Sequence, residues 1–66
     1  MKTLKLSTEI YSSVNIEKAK SAYKGFATIL VQKVHGYHRL TFLHCKHDEV
    51  LTVKEFENYL IALENS

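Results

Sequence analysis

The chain has 66 residues, 45% of them hydrophobic and 24% charged, with two Gly and no Pro. That length holds one small core and excludes a second domain, while the composition excludes collagen-like, low-complexity and disordered chains. A net charge of +2 is too mild to indicate a nucleic-acid binder by itself, and a single cysteine excludes an internal disulfide framework.

Leu4, Leu6 and Ile10 share one parity against Lys5, Ser7 and Glu9, which predicts a first strand with one buried face, closed by Tyr11. Ser12-Ser13 supplies a cap, and Ile16, Ala19, Tyr23 and Phe26 then recur at helical spacing. A helix over about residues 14–25 follows, with Gly25 placed to stop it in a left-handed conformation. Thr28 to Val34 is rich in β-branched residues, His35-Gly36 reads as a two-residue turn, and Tyr37 to Cys45 returns as a strand. The register that sets Val31 against Leu40 and Ile29 against Phe42 keeps one face apolar; a one-residue slip would set Lys33 against Leu40. Thr52-Val-Lys-Glu55 fits a capping box, with Leu51 and Phe56 as its hydrophobic staple. Val53, Phe56, Leu60 and Leu63 form the stripe of a final helix ending near Glu64.

The predicted order β-α-β-β-α is an α+β domain over residues 1–66. It places two helices on one face of a three-stranded antiparallel sheet, a ferredoxin-like arrangement without its last strand. The first strand then has an open edge, where a peptide or a second copy of the chain could pair; Lys2 and Lys5 stand guard on it.

Charge is divided along the chain. Residues 1–46 carry eight basic and two acidic side chains, residues 47–66 one basic and five acidic. Such a division can orient a partner, although solvated surface is the ordinary place for these groups. The opening Met-Lys-Thr-Leu-Lys-Leu has no apolar run of signal-peptide length, and nowhere do 18 apolar residues stand together. A cytoplasmic protein with no membrane contact is expected, in keeping with the lone thiol.

His35, His38, His44, Cys45 and His47 crowd into one stretch and invite a zinc reading. An extended segment between His38 and His44 sets them roughly 20 Å apart, too far for one four-ligand site. Cys45 and His47 with Asp48 or Glu49 are the lesser alternative, and no metal or other cofactor is expected. Adjacent strand residues face opposite ways, so His44 cannot serve Cys45 as a base, and His47 brings no oxyanion donor with it. Asp48-Glu49 suits the positive end of a helix rather than acid–base work. An enzyme is not expected.

The stretch Tyr11-Ser-Ser-Val-Asn-Ile16-Glu-Lys-Ala19-Lys-Ser-Ala-Tyr23 resembles the start of the HxsD family of His-Xaa-Ser peptide-modification systems. Phe56-Glu57-Asn58-Tyr59-Leu60 is similar to that family's later Phe-x-Asn-like helix, so the resemblance spans most of the chain in layout. It implies a small accessory protein working beside radical-SAM maturases on a peptide substrate, and supplies no catalytic residues.

The expected function is a non-enzymatic adaptor that binds a protein or peptide through a sheet edge or its hairpin, with a homodimer through that edge as one form. Lys2, Lys5, Tyr37, His38 and Arg39 are the expected partner-binding residues, chosen for their expected exposure. The alternative is a basic nucleic-acid-binding module using Lys18, Lys20, Lys24, Lys33, Arg39 and Lys46, with Tyr37 as its exposed aromatic. Tyr23 and Tyr59 are assigned to helix–sheet contacts, and nucleic acid is the less expected partner.

Overall fold

In the computed structural model, which describes residues 1–66, the chain opens with a strand over Lys2–Ser7 (β1). Leu6 is buried and Leu4 half-buried on one face, with Lys5 exposed on the other. The strand ends earlier than its alternation suggests. The Ser7 carbonyl accepts from the N–H groups of Ile10 (3.2 Å) and Tyr11 (3.0 Å), turning the chain out of the sheet. Ile10 therefore lies in a turn, 65% exposed, rather than extending the apolar face of β1.

Helix α1 covers Ser13–Ala22, capped by the Ser12 hydroxyl, which accepts from Asn15 N–H at 3.2 Å. It stops short of residue 25, and not through Gly25, which does not take a positive φ. Tyr23 is the C-cap instead: its N–H donates to Ala19 and Lys20 carbonyls, and its carbonyl accepts from Phe26 (2.8 Å) and Ala27 (3.1 Å). Its ring packs 5.5 Å from Phe56 and 5.8 Å from Tyr59, so aromatic packing accompanies the end of the helix.

Thr28–Val34 (β2) and Tyr37–Leu43 (β3) form the hairpin in the expected register, Ile29 opposite Phe42 and Val31 opposite Leu40. Gly36 takes φ +87° in the turn, a conformation natural to glycine. Strand β3 ends at Leu43 rather than Cys45 because His44 adopts φ +53°, which breaks the extended run.

Helix α2 spans Glu49–Glu64 and begins four residues before the capping box would place it. Its cap is Asp48, whose Oδ1 accepts from Leu51 N–H at 2.9 Å. Thr52 lies inside the helix, 5% exposed, and its hydroxyl donates to the Asp48 carbonyl at 2.8 Å. The box and staple are thus corrected. Thr52 lies one turn before Phe56, and Leu60 one turn beyond it, so the core-facing stripe runs through Thr52, and Leu51 is exposed.

The sheet order is β1-β3-β2 with every neighbour antiparallel, and no strand lies outside β1 or β2. One apolar cluster joins Leu6, Ile29, Leu40 and Phe42 of the sheet to Ile16 and Ala19 of α1 and Phe56 and Leu60 of α2. Both helices therefore cover the same face, and the opposite face of the sheet has no covering layer. No helix is long and apolar enough to cross a membrane.

Candidate partner-binding surface

Residue parity decides what each face of the sheet offers. On the helix-free face the register sets Lys5 beside Arg39 and Arg39 beside Gln32, flanked by a row of Ser7, Tyr37 and Val34. Lys5 Nζ stands 5.2 Å from the centre of the Tyr37 ring, a cation–π contact, and the Arg39 guanidinium donates to Gln32 Oε1. Three of the five expected contact residues, Lys5, Tyr37 and Arg39, thus meet on one open surface.

The other two do not. Lys2 is exposed at the start of β1, but it shares parity with Leu4 and Leu6 and pairs opposite Phe42, away from the trio. His38 is a correction: only 3% exposed, it shares parity with Leu40 and Phe42 and faces the helices. It cannot be a surface contact. Gln32, Thr41 and the 53% exposed Leu30 belong to the open face and were not singled out in the sequence. The hairpin register alone would have placed them there.

The backbone of β1 adds a second feature. The two-residue hairpin loop makes Tyr37 and Val34 a hydrogen-bonded pair, so odd residues of β3 bond to β2 and even residues to β1. The Thr8 N–H donation to the Gly36 carbonyl at 3.3 Å continues the same alternation. On β1, Leu4 and Leu6 accordingly exchange hydrogen bonds with β3, while the N–H and C=O groups of Thr3 and Lys5 point outward from the edge.

The histidine-rich stretch is dispersed. His35 is in the hairpin turn, His38 is under the helices, and His44 and His47 lie beyond the far end of β3; no three of the His, Cys, Asp or Glu side chains gather as metal ligands would. Burial, followed by the negative charge of Glu49, pushes the half-buried Cys45 thiol up, which disfavours the nucleophilic thiolate.

A shallow depression of about 200 Å³ lies between Tyr23, Phe26, His47, Thr52 and Glu55. Tyr23 packs against the core and meets Phe56 and Tyr59 of α2, whereas Tyr59, 40% exposed, meets Tyr23 between the helices rather than the sheet; burial together with Glu55 and Tyr59 raises the Tyr23 phenol. The remaining basic residues do not share the open face: Lys18, Lys20 and Lys24 belong to α1 and its end, and Lys33 has the parity of Ile29 and Val31. No family model, curated protein or solved structure matches this chain.

Proposed function

We propose that this protein is a non-enzymatic protein- or peptide-binding module that takes an extended segment of another chain along β1. The supporting observation is the exposed β1 edge, with the outward backbone groups of Thr3 and Lys5 beside the Lys5–Tyr37–Arg39 surface. Added strands gain affinity from main-chain hydrogen bonds and specificity from alternate side chains. Here the side chains on the helix-free side meet two cations and an aromatic ring, so acidic residues suit them. Following the resemblance to HxsD proteins, we assign the client to a peptide handled by a radical-SAM maturase system. The free Cys45 thiol suits work in the reducing cytoplasm.

The test is titration of isotope-labelled protein with an extended peptide of alternating Val and Glu, followed by amide shifts. Shifts from Lys2 to Glu9 are expected, weakened severalfold by Lys5→Glu or Arg39→Glu. Unmoved β1 amides would overturn the proposal.

A second reading rests on the same trio, since an aromatic ring flanked by cations on an open sheet also suits stacked nucleic-acid bases. It requires an affinity that falls steeply with added salt. A salt-insensitive complex removes it.

A further inference from the structure

We propose that the depression between the end of α1 and the start of α2 binds a quaternary ammonium group on an alkyl arm, borne by a choline-like amine or a trimethylated lysine side chain. The site belongs to the helix layer, so it is separate from the Lys5–Tyr37–Arg39 surface and does not depend on strand addition at β1.

Three rings and one carboxylate line it, together with Thr52. The ring centres of Tyr23 and Phe26 are 5.8 Å apart at 57°, and those of Phe26 and His47 6.3 Å apart at 42°, so the rings form a bent wall rather than a stack. A cation is attracted to an aromatic face from within about 6 Å of its centre, and one cation in the angle between Tyr23 and Phe26 is within that reach of both. Backbone bonds fix the wall. The Phe26 N–H donates to the Tyr23 carbonyl and the Lys46 N–H to the Phe26 carbonyl, each at 2.8 Å, which ties the turn after α1 to the segment leading into α2. Phe26 still remains 46% exposed, an apolar ring open to a ligand.

Glu55 supplies the charge. The helix positions three and four residues from it hold Leu51, Thr52, Asn58 and Tyr59, none of them a cation. The chain has nine Lys and Arg, yet its one ion pair joins the Met1 amine to Glu49. No lysine therefore pairs with Glu55, Lys24 and Lys46 beside the rings included. The carboxylate nonetheless acts on the site: burial first, and then the Glu55 charge, holds the Tyr23 phenol above its ordinary value. An anion would be repelled here, and a neutral ligand would leave the carboxylate unanswered.

Size and hydrogen bonding select the kind of cation. A volume of about 200 Å³ is below the roughly 300–1,000 Å³ of pockets that enclose drug-sized ligands, so a head group fits and its arm stays outside. A primary ammonium brings three N–H donors and a tight hydration shell. The site offers it few acceptors: Thr52 is 5% exposed and already bonded to the Asp48 carbonyl, which leaves Glu55 and the Tyr23 phenol. A quaternary head has no N–H to satisfy, and its methyl groups pack on the rings while its charge meets their faces.

The experiment titrates the isotope-labelled full chain with four probes at matched ionic strength. They are N-acetyl-trimethyl-lysine amide, its unmethylated counterpart, choline, and the neutral tert-butyl isostere of choline. Shifts of the Tyr23, Phe26 and His47 rings are expected with both quaternary probes, at dissociation constants of about 1–10 mM. Stronger binding of the lysine derivative assigns a protein side chain as the source, and equal or stronger binding of choline assigns a free amine; each supports the site. Glu55→Gln and Phe26→Ala should each weaken the quaternary probes at least about threefold, whereas Lys5→Glu on the open face of the sheet should not. Equal shifts with the neutral isostere would reveal a merely apolar hollow and overturn the inference. Equal shifts with the unmethylated lysine overturn it as well. So do rings left unmoved by about 50 mM of either quaternary probe, or an affinity unchanged in Glu55→Gln, which breaks no ion pair within the chain.

Discussion

The backbone N–H of Ser12 donates to Glu64 Oε2 at 2.8 Å, tying the N-cap of α1 to the last turn of α2 across 52 positions of sequence. The Ser12 hydroxyl reaches the same oxygen at 3.3 Å while accepting from Asn15 N–H. A carboxylate at this place also suits the positive end of α1, whose own first turn has no acidic residue. The Ser12 N–H, with the Asn15 side chain in support, holds the Glu64 carboxyl below its ordinary value of 4.5.

A depressed carboxyl contributes stability that is present above its unfolded pKa and lost as pH falls through its folded one. The melting temperature should therefore decline once pH drops below that ordinary value. Glu64→Gln should melt lower than the natural chain at pH 7 and show a shallower decline, the two curves converging in acid. Thermal melts from neutral to strongly acidic pH check this, and parallel curves would show that Glu64 carries no linkage.

The start of α2 gives a sharper contrast between local pattern and fold. Thr52 and Glu55 have the spacing of a capping box, yet Asp48 makes the cap. Asp48→Ala should cost about 1 kcal/mol, whereas Glu55→Ala should stay within about 0.5 kcal/mol. Urea unfolding of the two variants separates them. Equal losses, or a larger loss at Glu55, would restore the capping box.

These residues also show what a sequence can carry. The hairpin was legible because His35-Gly36 and the flanking alternation allow only one apolar face, and Ile29, Val31, Leu40 and Phe42 pair accordingly. The cap was not, because two Ncap candidates precede the same apolar stripe and only tertiary burial of Thr52 chooses between them. His38 was misplaced by residue type: its parity with Leu40 and Phe42 puts it under the helices, whatever its polarity. The Lys5–Tyr37–Arg39 surface depends on β1 pairing with β3, a contact across some thirty residues that no local spacing encodes.

His44 adopts φ +53°, the left-handed region, and ends β3. Histidine tolerates that region better than most residues, and a β-branched side chain crowds its own backbone there. His44→Val should lose about 1–2 kcal/mol and His44→Asn almost nothing. The exposed imidazole makes no side-chain hydrogen bond, so backbone conformation is the effect measured. A harmless His44→Val would mean that the end of β3 readjusts freely.

The aromatic residues supply the last contrast. Phe56 is fully buried, its ring 5.2 Å from Phe42 in an edge-to-face pair and 5.5 Å from Tyr23. Phe26 is 46% exposed and meets Tyr23 and His47 only at the rim of the shallow depression. Emptying the Phe56 site removes transfer energy and leaves a cavity bounded by both helices and the sheet, a loss of about 3–5 kcal/mol. A domain of this size sits near the lower end of the usual stability range of about 5–15 kcal/mol. Phe56→Ala should therefore be largely unfolded at 37 °C by circular dichroism, while Phe26→Ala keeps a cooperative transition displaced by a few degrees. If Phe26→Ala collapses the fold as Phe56→Ala does, the depression is part of the core, and its half-exposed ring is a keystone rather than free surface.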